Sequence, residues 1–390
     1  MIKIIKSINE NEIFDRSEQS FNVSETVSDI IANVRKNGDK ALKEYSLRFD
    51  KVELDSFEID KSFMRMAYLR IDKEFKAVLE EAAKNIREYH IKQKRDGYEI
   101  KRDNGVTLGR KVLPLQRVAL YVPGGTAAYP SSVLMNCIPA KIAGVGEVIM
   151  TTPPSKDGTI RDDILAAAYV AGVDRIFCIG GAQAIAALAY GTETVPKVDK
   201  IVGPGNAFVA EAKKQVFGTV AIDMIAGPSE ILIIADEGSN PKAVAADMLS
   251  QAEHDKNATA VLITNSEKLA KETAEEIELQ LSVLPREEIA RVSIENNGKI
   301  IVSTSIAEAI ELSNRLAPEQ LEICTDEPFR WLPYVKNAGS VFLGYKCPES
   351  VGDYFSGTNH VLTTIGTATF ASALSVDDFI KTIEYTYYSK

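Results

Sequence analysis

Three polar side chains lie on one predicted helix at spacings that would bring them together. Asp247, Gln251 and His254 occupy positions i, i+4 and i+7 in a run of helix-forming residues that follows Pro241, and proline is favoured in the first turn of a helix. Residues at this spacing share one helix face. A carboxylate, an amide oxygen and an imidazole on one face could bind a metal ion or a polar ligand. A solvated helix face would show the same pattern.

A loop near the end of the chain carries a second set of such side chains. Asp353 follows a glycine there, and Asn359 and His360 are neighbours in the same loop. Asp353 could complete a metal site with Gln251 and His254, because zinc accepts nitrogen and oxygen donors and a catalytic site keeps one position open. Alternatively, Asp353 caps a turn and Asn359 bonds its own backbone.

The elements that must position these residues alternate between strands and helices. Apolar strand segments and helical segments follow one another from residue 117 to 223 and again from 231 to 343. Charged helical stretches precede them, and residues 98–116 predict a hairpin. This order predicts an α/β fold with two open parallel sheets of incomplete Rossmann-like type, flanking helices and a short N-terminal arm.

Three strands of the first alternation end in glycine-rich turns, at Pro123-Gly124-Gly125, Gly180-Gly181 and Gly203-Pro204-Gly205. In an open α/β sheet, ligands bind beyond the carboxyl ends of the strands. Glycine lets backbone N–H groups approach a phosphate, and a helix N-terminus favours its negative charge. The chain has no G-x-G-x-x-G fingerprint. Three such turns on one edge predict a binding crevice, although a single one would only indicate a tight turn.

Composition narrows the classes of protein. The 390 residues, 45% hydrophobic and 26% charged, are typical of a globular protein with at least two domains. A net charge of −10 argues against binding to nucleic acid or to an anionic membrane. No apolar run approaches the roughly 20 residues of a spanning helix, and the N-terminus is too charged for a signal peptide. The four cysteines form no C-x-x-C pair, so we expect a reduced, cytoplasmic protein.

Seven ordered blocks of sequence carry a family resemblance. They read YVPGGTAAYPSSVLMN at 121–136, GGAQAI at 180–185, GPGNAFV at 203–209, DMIAGPSE at 223–230, QAEH at 251–254, APE at 317–319, and GDY at 352–354 with NHV at 359–361. With these blocks the chain resembles the histidinol dehydrogenase family from about residue 24 to the end. That family contributes the last enzyme of histidine biosynthesis.

The resemblance implies an NAD-dependent, zinc-containing enzyme that oxidises L-histidinol through histidinal to L-histidine and consumes two NAD⁺. Tyr121, Gln183 and Asn206 match the family positions that contact NAD. Tyr121 lies just before the first glycine-rich turn, and Gln183 and Asn206 follow the other two. The resemblance also implies a homodimer with one zinc ion in each subunit.

The resemblance assigns the metal and substrate residues as well. Gln251, His254 and Asp353 match zinc ligands, and the zinc would hold the imidazole and amine of the substrate as a template. Glu319 would activate water on the aldehyde as general base, and His360 would support the site. The positions implied to contact substrate are Ser229, Gln251, His254, Gln320 and Asp353.

The predicted domains follow from this assignment. Residues 1–21 would form the arm, and residues 121–228 would form the NAD-binding α/β domain. Residues 22–120 together with 229–372 would form a discontinuous α/β domain for substrate and metal. Residues 373–390 would begin a C-terminal helical tail that is cut short.

The sequence departs from the family at three places. Gln320 replaces the histidine that takes the alcohol proton in the family, and a neutral amide cannot accept that proton at ordinary pH. Thr363 replaces a proline. The family tail, with a substrate-binding glutamate and a fourth zinc ligand that is a histidine, has no counterpart here, since no histidine follows His360. These departures predict an incomplete zinc site and slow or absent turnover.

Three functions are compatible with these residues. The first is a histidinol dehydrogenase altered at Gln320 or truncated. The second is an NAD-dependent dehydrogenase of another small polar alcohol, since a substrate without an imidazole would fit the loss of both histidines. The third is a non-catalytic ligand-binding relative, although the retained NAD motifs argue against it.

Overall fold

The computed structural model describes residues 2–14, 23–124 and 129–389. Part of the predicted arm, together with Gly125, therefore lies outside the described residues. The chain folds into two compact units. Unit 1 comprises Met1–Ser20, Ala226–Asp353 and Leu362–Ala373, and unit 2 comprises Phe21–Ile225, Tyr354–Val361 and Leu374–Lys390.

The strands form three sheets in the described residues. They are β1 Lys3–Lys6, β2 Glu58–Ile59, β3 Tyr98–Lys101, β4 Val106–Pro114, β5 Arg117–Tyr121, β6 Glu147–Thr152, β7 Arg175–Cys178, β8 Lys200–Val202, β9 Ala221–Ile222, β10 Glu230–Ala235, β11 Thr259–Thr264, β12 Lys299–Val302, β13 Gln320–Cys324, β14 Ser340–Leu343 and β15 Ile380–Tyr388.

Most of the helices connect these strands. They are α1 Glu10–Ile13, α2 Ser24–Tyr45, α3 Lys61–Arg70, α4 Lys73–His90, α5 Pro130–Ala143, α6 Asp162–Ala171, α7 Gly181–Tyr190, α8 Ala207–Val216, α9 Pro241–Ala252, α10 Glu267–Leu281, α11 Glu287–Asn297, α12 Ile306–Leu316, α13 Pro328–Trp331 and α14 Glu349–Val351. Across the described ranges, no helix combines the length and apolar character that crossing a membrane requires.

The main sheet of unit 2 has the strand order β2-β7-β6-β5-β8-β9. All neighbours are parallel except β2, which is antiparallel at the edge. From β5 the chain first builds outward through β6 and β7, and then returns to the other side of β5 with β8. Such a reversal of strand order is where ligands bind in open α/β sheets. The parallel sheet confirms the predicted fold class for this unit.

Both faces of this sheet are covered by helices. Val118 and Leu120 of β5 pack in a core with α3, α4, α5 and α6. Ala119 and Tyr121 point to the other side, into a core with α2, α7 and α8. We predicted that residues 22–120 would pack with the later sheet, but α2, α3 and α4 pack in unit 2. The physical reason is that a parallel sheet buries both faces and needs helices on each.

The last strand of unit 2 corrects the prediction of a helical tail. Residues 380–388 form β15, which pairs antiparallel with β4, and β4 pairs with β3 in the predicted hairpin. Seven of its nine residues are isoleucine, threonine or tyrosine. β-Branched and aromatic side chains favour strands, so local propensity explains the strand.

Unit 1 contains a second parallel sheet, in the order β1-β12-β11-β10-β13-β14. The part of the predicted arm that is described includes β1, which pairs parallel with β12 and buries Ile5. β10 and β13 are parallel neighbours with Ile231 opposite Gln320. This register places the first residues of the two strands side by side, and it positions the polar residues of unit 1.

Candidate active site

Gln251 lies in the last turn of α9. The helix begins after Asn240, whose side chain accepts the Lys242 N–H at 3.0 Å, and it ends at Ala252. His254 follows in a turn, where its backbone N–H donates to the Gln251 carbonyl at 3.0 Å. The prediction that His254 shares a helix face with Gln251 is therefore wrong, because the helix ends two residues before it.

The side chains of Gln251, Gln320 and Asp353 form a hydrogen-bonded row inside unit 1. Gln251 Nε2 donates to Gln320 Oε1 at 2.8 Å, and Gln320 Nε2 donates to Asp353 Oδ2 at 3.0 Å. Gln251 Nε2 also donates to Glu349 Oε2. Gln251 is 1% exposed and Gln320 is 3% exposed, so the row is shielded from solvent. The structure thus brings together three predicted site residues that are 102 positions apart at most.

The two carboxyl groups of this row have raised pKa values. The pKa of Asp353 is raised to about 8. Burial is the main cause and the Glu349 charge adds to it, whereas the hydrogen bond from Gln320 acts in the opposite direction. Burial also raises the pKa of Glu349 to about 7, against hydrogen bonds from Gln251 and Ser250 that lower it. In the described parts of unit 1, no lysine or arginine pairs with either group. A cation bound beside them would favour their ionised forms and lower both pKa values.

Glu319 lies directly before β13 and is 8% exposed. Its Oε2 accepts the backbone N–H of Glu230 at 2.8 Å. Burial raises its pKa well above the ordinary value, and the charges of Glu230, Asp353 and Glu349 raise it further. A raised pKa makes a buried carboxylate a stronger proton acceptor than an ordinary one, which suits a general base.

Two further carboxyl groups lie behind this row. Asp247 on α9 hydrogen-bonds Glu322 on β13, and burial raises the pKa of Asp247 to about 6. Burial and the Asp247 charge raise the pKa of Glu322 well above its ordinary value. Glu322 Oε1 accepts the Glu349 backbone N–H at 2.8 Å. Glu322 therefore holds the segment that carries Glu349 and leads to Asp353.

His254 and Ser229 are less tightly integrated. His254 is exposed to solvent. Protein atoms nevertheless surround part of its ring, and this desolvation lowers its pKa. It is therefore neutral at pH 7, which a metal ligand needs. Ser229 immediately precedes β10, and its carbonyl accepts the Thr259 N–H at 3.0 Å. Among the described residues, no hydrogen bond joins either side chain to the row.

The predicted zinc ligands fit a metal ion in their chemistry. Gln251 Oε1 is buried and has no hydrogen-bond partner in the described structure, so this oxygen is free to coordinate. Gln251 is also in the last turn of α9, where a cation is favoured. No three His, Cys, Asp or Glu side chains cluster as a metal site within the described ranges. The predicted set contains only two residues of those types, with the Gln251 amide as the third ligand.

The predicted NAD residues lie in unit 2 at the carboxyl ends of its strands. Tyr121 ends β5, and its hydroxyl accepts the Gly181 N–H at 3.0 Å. Burial raises the pKa of Tyr121 to about 12, so the phenol stays neutral. Gly203 has φ +108°, and a Cβ there would lie 2.2 Å from the Tyr121 carbonyl oxygen. Glycine at this position therefore allows β5 and β8 to approach closely.

The other two predicted NAD residues begin helices. Asn206 caps α8, where its Oδ1 accepts the N–H groups of Phe208 and Val209, each at 3.1 Å. The capping bonds use only Oδ1. Among the described residues, no hydrogen bond occupies Nδ2, which can therefore bind a ligand. Gln183 lies in the first turn of α7 and is 2% exposed. Asn206 thus caps a helix and Gln183 is buried, both at the strand ends where a nucleotide would bind.

Asn359 has a structural role in unit 2. Its Nδ2 donates to the Met135 carbonyl at 2.8 Å and contacts His90 Nε2 at 3.2 Å. His90 Nδ1 lies 2.9 Å from the Ile86 carbonyl, which fixes Nδ1 as the protonated nitrogen and Nε2 as an acceptor. The His360 ring packs edge-on against Tyr354, with 6.1 Å between ring centroids.

A family model described as histidinol dehydrogenase matches residues 14–390. The chain belongs to the histidinol dehydrogenase family. It is 55% identical over 388 residues to a histidinol dehydrogenase of Clostridium acetobutylicum, covering 100% of this chain and 89% of that one. It is 56% identical over 364 residues to the Geobacillus kaustophilus relative, covering 93% and 86%. A histidinol dehydrogenase crystal structure from Elizabethkingia anophelis matches with a TM-score of 0.94 and 38% identity, covering 100% and 90%.

Family membership confirms the predicted enzyme class. Histidinol dehydrogenases are oxidoreductases that act on a CH–OH group in the last step of histidine biosynthesis, and they generally use NAD and zinc. The close fit to a solved member also confirms the α/β fold with parallel sheets. Gln320, which occupies the position of the family's histidine, links Gln251 to Asp353 through hydrogen bonds.

Sequence reasoning missed Glu322 and Glu349. Glu322 lies two residues after Gln320 on a strand, and the alternation of side chains in β13 puts both on one face. Glu349 lies four residues before Asp353, a spacing that places both on one side of a helical turn. These two periodic signals could have found both residues once Gln320 and Asp353 were assigned.

Proposed function

We propose that this chain oxidises L-histidinol through histidinal to L-histidine with NAD⁺ as the oxidant. The observation that carries the proposal is the buried row of Gln251, Gln320 and Asp353, with the proton-exchanging carboxyl of Glu319 in the same unit. The charge of Asp353 contributes to the raised pKa of Glu319, so the two carboxyl groups belong to the same polar cluster of unit 1. Family membership supports the substrate.

Gln251, His254 and Asp353 would hold one zinc ion. The neutral imidazole, the unpartnered amide oxygen and the carboxylate are donors that zinc accepts. When bound, the zinc acts as a Lewis acid that orients nitrogen groups of the substrate. Ser229 and Gln320 would contribute hydrogen bonds to the substrate beside these ligands.

Glu319 would act as general base. One of its oxygens is held by the Glu230 N–H, which leaves the other oxygen to take a proton from water that adds to the aldehyde. The proton resides on the Glu319 carboxyl until it is released to solvent. Its raised pKa makes the ionised carboxylate a stronger proton acceptor than an ordinary one.

Tyr121, Gln183 and Asn206 would contact NAD in unit 2. The Gly203 turn gives close backbone approach, and the N-terminus of α8 begins directly after Asn206. NAD⁺ supplies the hydride acceptor when bound. The neutral phenol of Tyr121 and the free Nδ2 of Asn206 offer uncharged hydrogen bonds to the nucleotide.

Gln320 cannot take the proton of the substrate alcohol, because its amide has no basic lone pair. It can only hydrogen-bond the hydroxyl while the proton leaves to water. We therefore propose that alcohol oxidation is slow in this chain. We further propose a cytoplasmic homodimer, as the family resemblance implies.

A comparison of substrates tests this function. The zinc-loaded chain should form NADH with L-histidinol and NAD⁺, and Gln251→Leu should abolish most of that signal while Ser293→Ala, in the same unit, should not. A second candidate is an NAD-dependent oxidation of another small polar alcohol, which Gln320 favours because it changes a position that is implied to contact the substrate. NADH formation with other polar alcohols but none with histidinol would replace the first proposal by the second.

A further inference from the structure

The row of buried amides has a defined direction. Gln251 Nε2 carries two hydrogens, and they go to Gln320 Oε1 and Glu349 Oε2. Gln320 Nε2 donates to Asp353 Oδ2. The row therefore runs from the carboxylate of Glu349 through two amides to the carboxylate of Asp353.

The two carboxyl groups fix this direction in their ionised forms, which a cation bound beside them would favour, because ionised carboxylates only accept hydrogen bonds. A flipped Gln320 would place its Oε1 against Asp353 Oδ2, and two acceptors would face each other. A flipped Gln251 would place its Oε1 against both Glu349 and Gln320. Each amide orientation thus supports the other, and the acceptors at the two ends enforce both.

A consequence of this direction is the free oxygen of Gln251. Both hydrogens of its amide are used, and Oε1 is left buried without a partner in the described residues. Gln251 is 1% exposed, Gln320 3% and Glu349 4%. None of these side chains can turn toward solvent to relieve a misoriented amide, so the orientation decides whether an oxygen or an NH₂ group faces the metal.

We propose that Gln320 and Glu349 are positioning residues that hold the Gln251 amide with Oε1 toward the metal ion. This inference rests on the proposed function, which makes Gln251 a zinc ligand. Gln320 acts here through Gln251 and Asp353 rather than by proton transfer. Glu349 receives no role from sequence motifs, and its position between Gln251 and Ser250 gives it one: Ser250 Oγ donates to Glu349 Oε1 at 2.9 Å and steadies the carboxylate.

The test measures zinc affinity of the full chain by competition with a chromophoric chelator. Residues that orient a metal ligand typically change metal affinity by about 10- to 100-fold. Gln320→Leu and Glu349→Leu should each weaken zinc binding by about that factor. The double variant should lose much less than the product of the two factors, because both act on the same amide.

Glu349→Gln is the matched conservative variant. Its amide oxygen still accepts the Gln251 hydrogen, so zinc affinity should fall by less than about 10-fold. Ser293→Ala removes a buried hydrogen bond to the Ala258 carbonyl elsewhere in unit 1 and should leave zinc affinity unchanged. The visible absorption of the cobalt-substituted protein should change in both leucine variants and stay the same in Ser293→Ala.

The outcomes separate this inference from the proposed function. Parent-like zinc affinity in both leucine variants, together with weak binding by Gln251→Leu, overturns the positioning role and leaves the metal site intact. If the parent does not bind zinc, or if Gln251→Leu binds it equally well, the metal assignment fails and this inference fails with it. If Gln320→Leu does not fold, Gln320→Asn replaces it. Its side chain is shorter by one methylene, so its amide is drawn back from Gln251, and we expect the same loss of zinc affinity.

Discussion

Glu319 Oε2 accepts the backbone N–H of Glu230 at 2.8 Å. The bond joins the amino ends of two neighbouring parallel strands, β13 and β10, whose register sets Ile231 opposite Gln320. It fixes one oxygen of the carboxyl and leaves the second for chemistry. The polar cluster of unit 1 therefore lies at the amino ends of its strands, whereas the predicted nucleotide residues of unit 2 lie at carboxyl ends.

Glu319→Gln should lower kcat by about 10²- to 10⁴-fold with little change in KM, because the amide cannot take a proton. The amide oxygen can still accept the Glu230 N–H, so the fold should be preserved. Steady-state NADH formation and a urea melt of the same sample measure both effects. Unchanged kcat in a folded Glu319→Gln variant would exclude Glu319 as the base.

Gln320→His should raise kcat for histidinol by up to about 10²-fold, because the imidazole adds a proton acceptor. A neutral histidine can still donate to Asp353 with one ring nitrogen, and the other nitrogen then takes the proton in place of the bond from Gln251. Gln320→Asn is the control and should not be faster than the parent. A histidine variant no faster than the parent would show that Gln320 does not limit the rate.

His90 should make stability depend on pH. Desolvation lowers the pKa of this buried ring below its ordinary value of 6.5, so the folded ring stays neutral where the unfolded one is protonated. As pH falls below 6.5 the unfolded state binds more protons, and the free energy of unfolding decreases. Urea melts followed by circular dichroism should show this decline, and His90→Gln should flatten it. An equal slope in both proteins would assign the pH dependence to other groups.

Lys213→Met should destabilise unit 2 by about 3–5 kcal/mol, because it leaves a buried carboxylate unpaired. Lys213 pairs with Asp223, each with 2% of the side chain exposed, and it also donates to the Gly203 carbonyl at 3.0 Å. Asp223 in turn accepts the Gly203 N–H at 2.7 Å. The KM for NAD should rise with the loss of this turn while the zinc affinity of unit 1 stays constant.

The matched control for that pair is the double variant Lys213→Met with Asp223→Leu. Replacing both charges by apolar groups should recover part of the lost stability. If the double variant is less stable than Lys213→Met, the hydrogen bond from the Gly203 N–H to Asp223 contributes more to the free energy of unfolding than the unpaired charge costs.

The strand and helix alternation predicted the two parallel sheets, because apolar segments of this length between glycine turns have few other solutions. It could not predict where the first helices pack, since α2 and α4 are amphipathic and would cover either sheet. Periodicity also does not predict where α9 ends. Residues up to Glu253 favour a helix, but the chain turns after Ala252. The residue types of Ile380–Tyr388 favour a strand, whereas the family resemblance predicts a helical tail, and the residue types agree with the structure.

The site residues were predicted through motifs, whereas their contacts were not. Gln320 was identified as a lost base, but its bonds to Gln251 and Asp353 depend on the strand register and on the segment after Glu349. Periodicity places Glu322 on the strand face of Gln320 and Glu349 one turn from Asp353, but it does not show that this strand face meets α9. Such long-range packing is not encoded in local patterns.

Product stoichiometry tests the central claim most directly. The zinc-loaded chain is incubated with limiting L-histidinol and excess NAD⁺ until the reaction stops, and NADH and histidine are quantified together. The two-step oxidation predicts about two NADH and one histidine for each histidinol consumed, whereas Glu319→Gln should form at most one NADH and no histidine, because the base acts on the aldehyde step. No NADH from histidinol, or NADH without histidine in a parent chain that binds zinc, would contradict the proposed function.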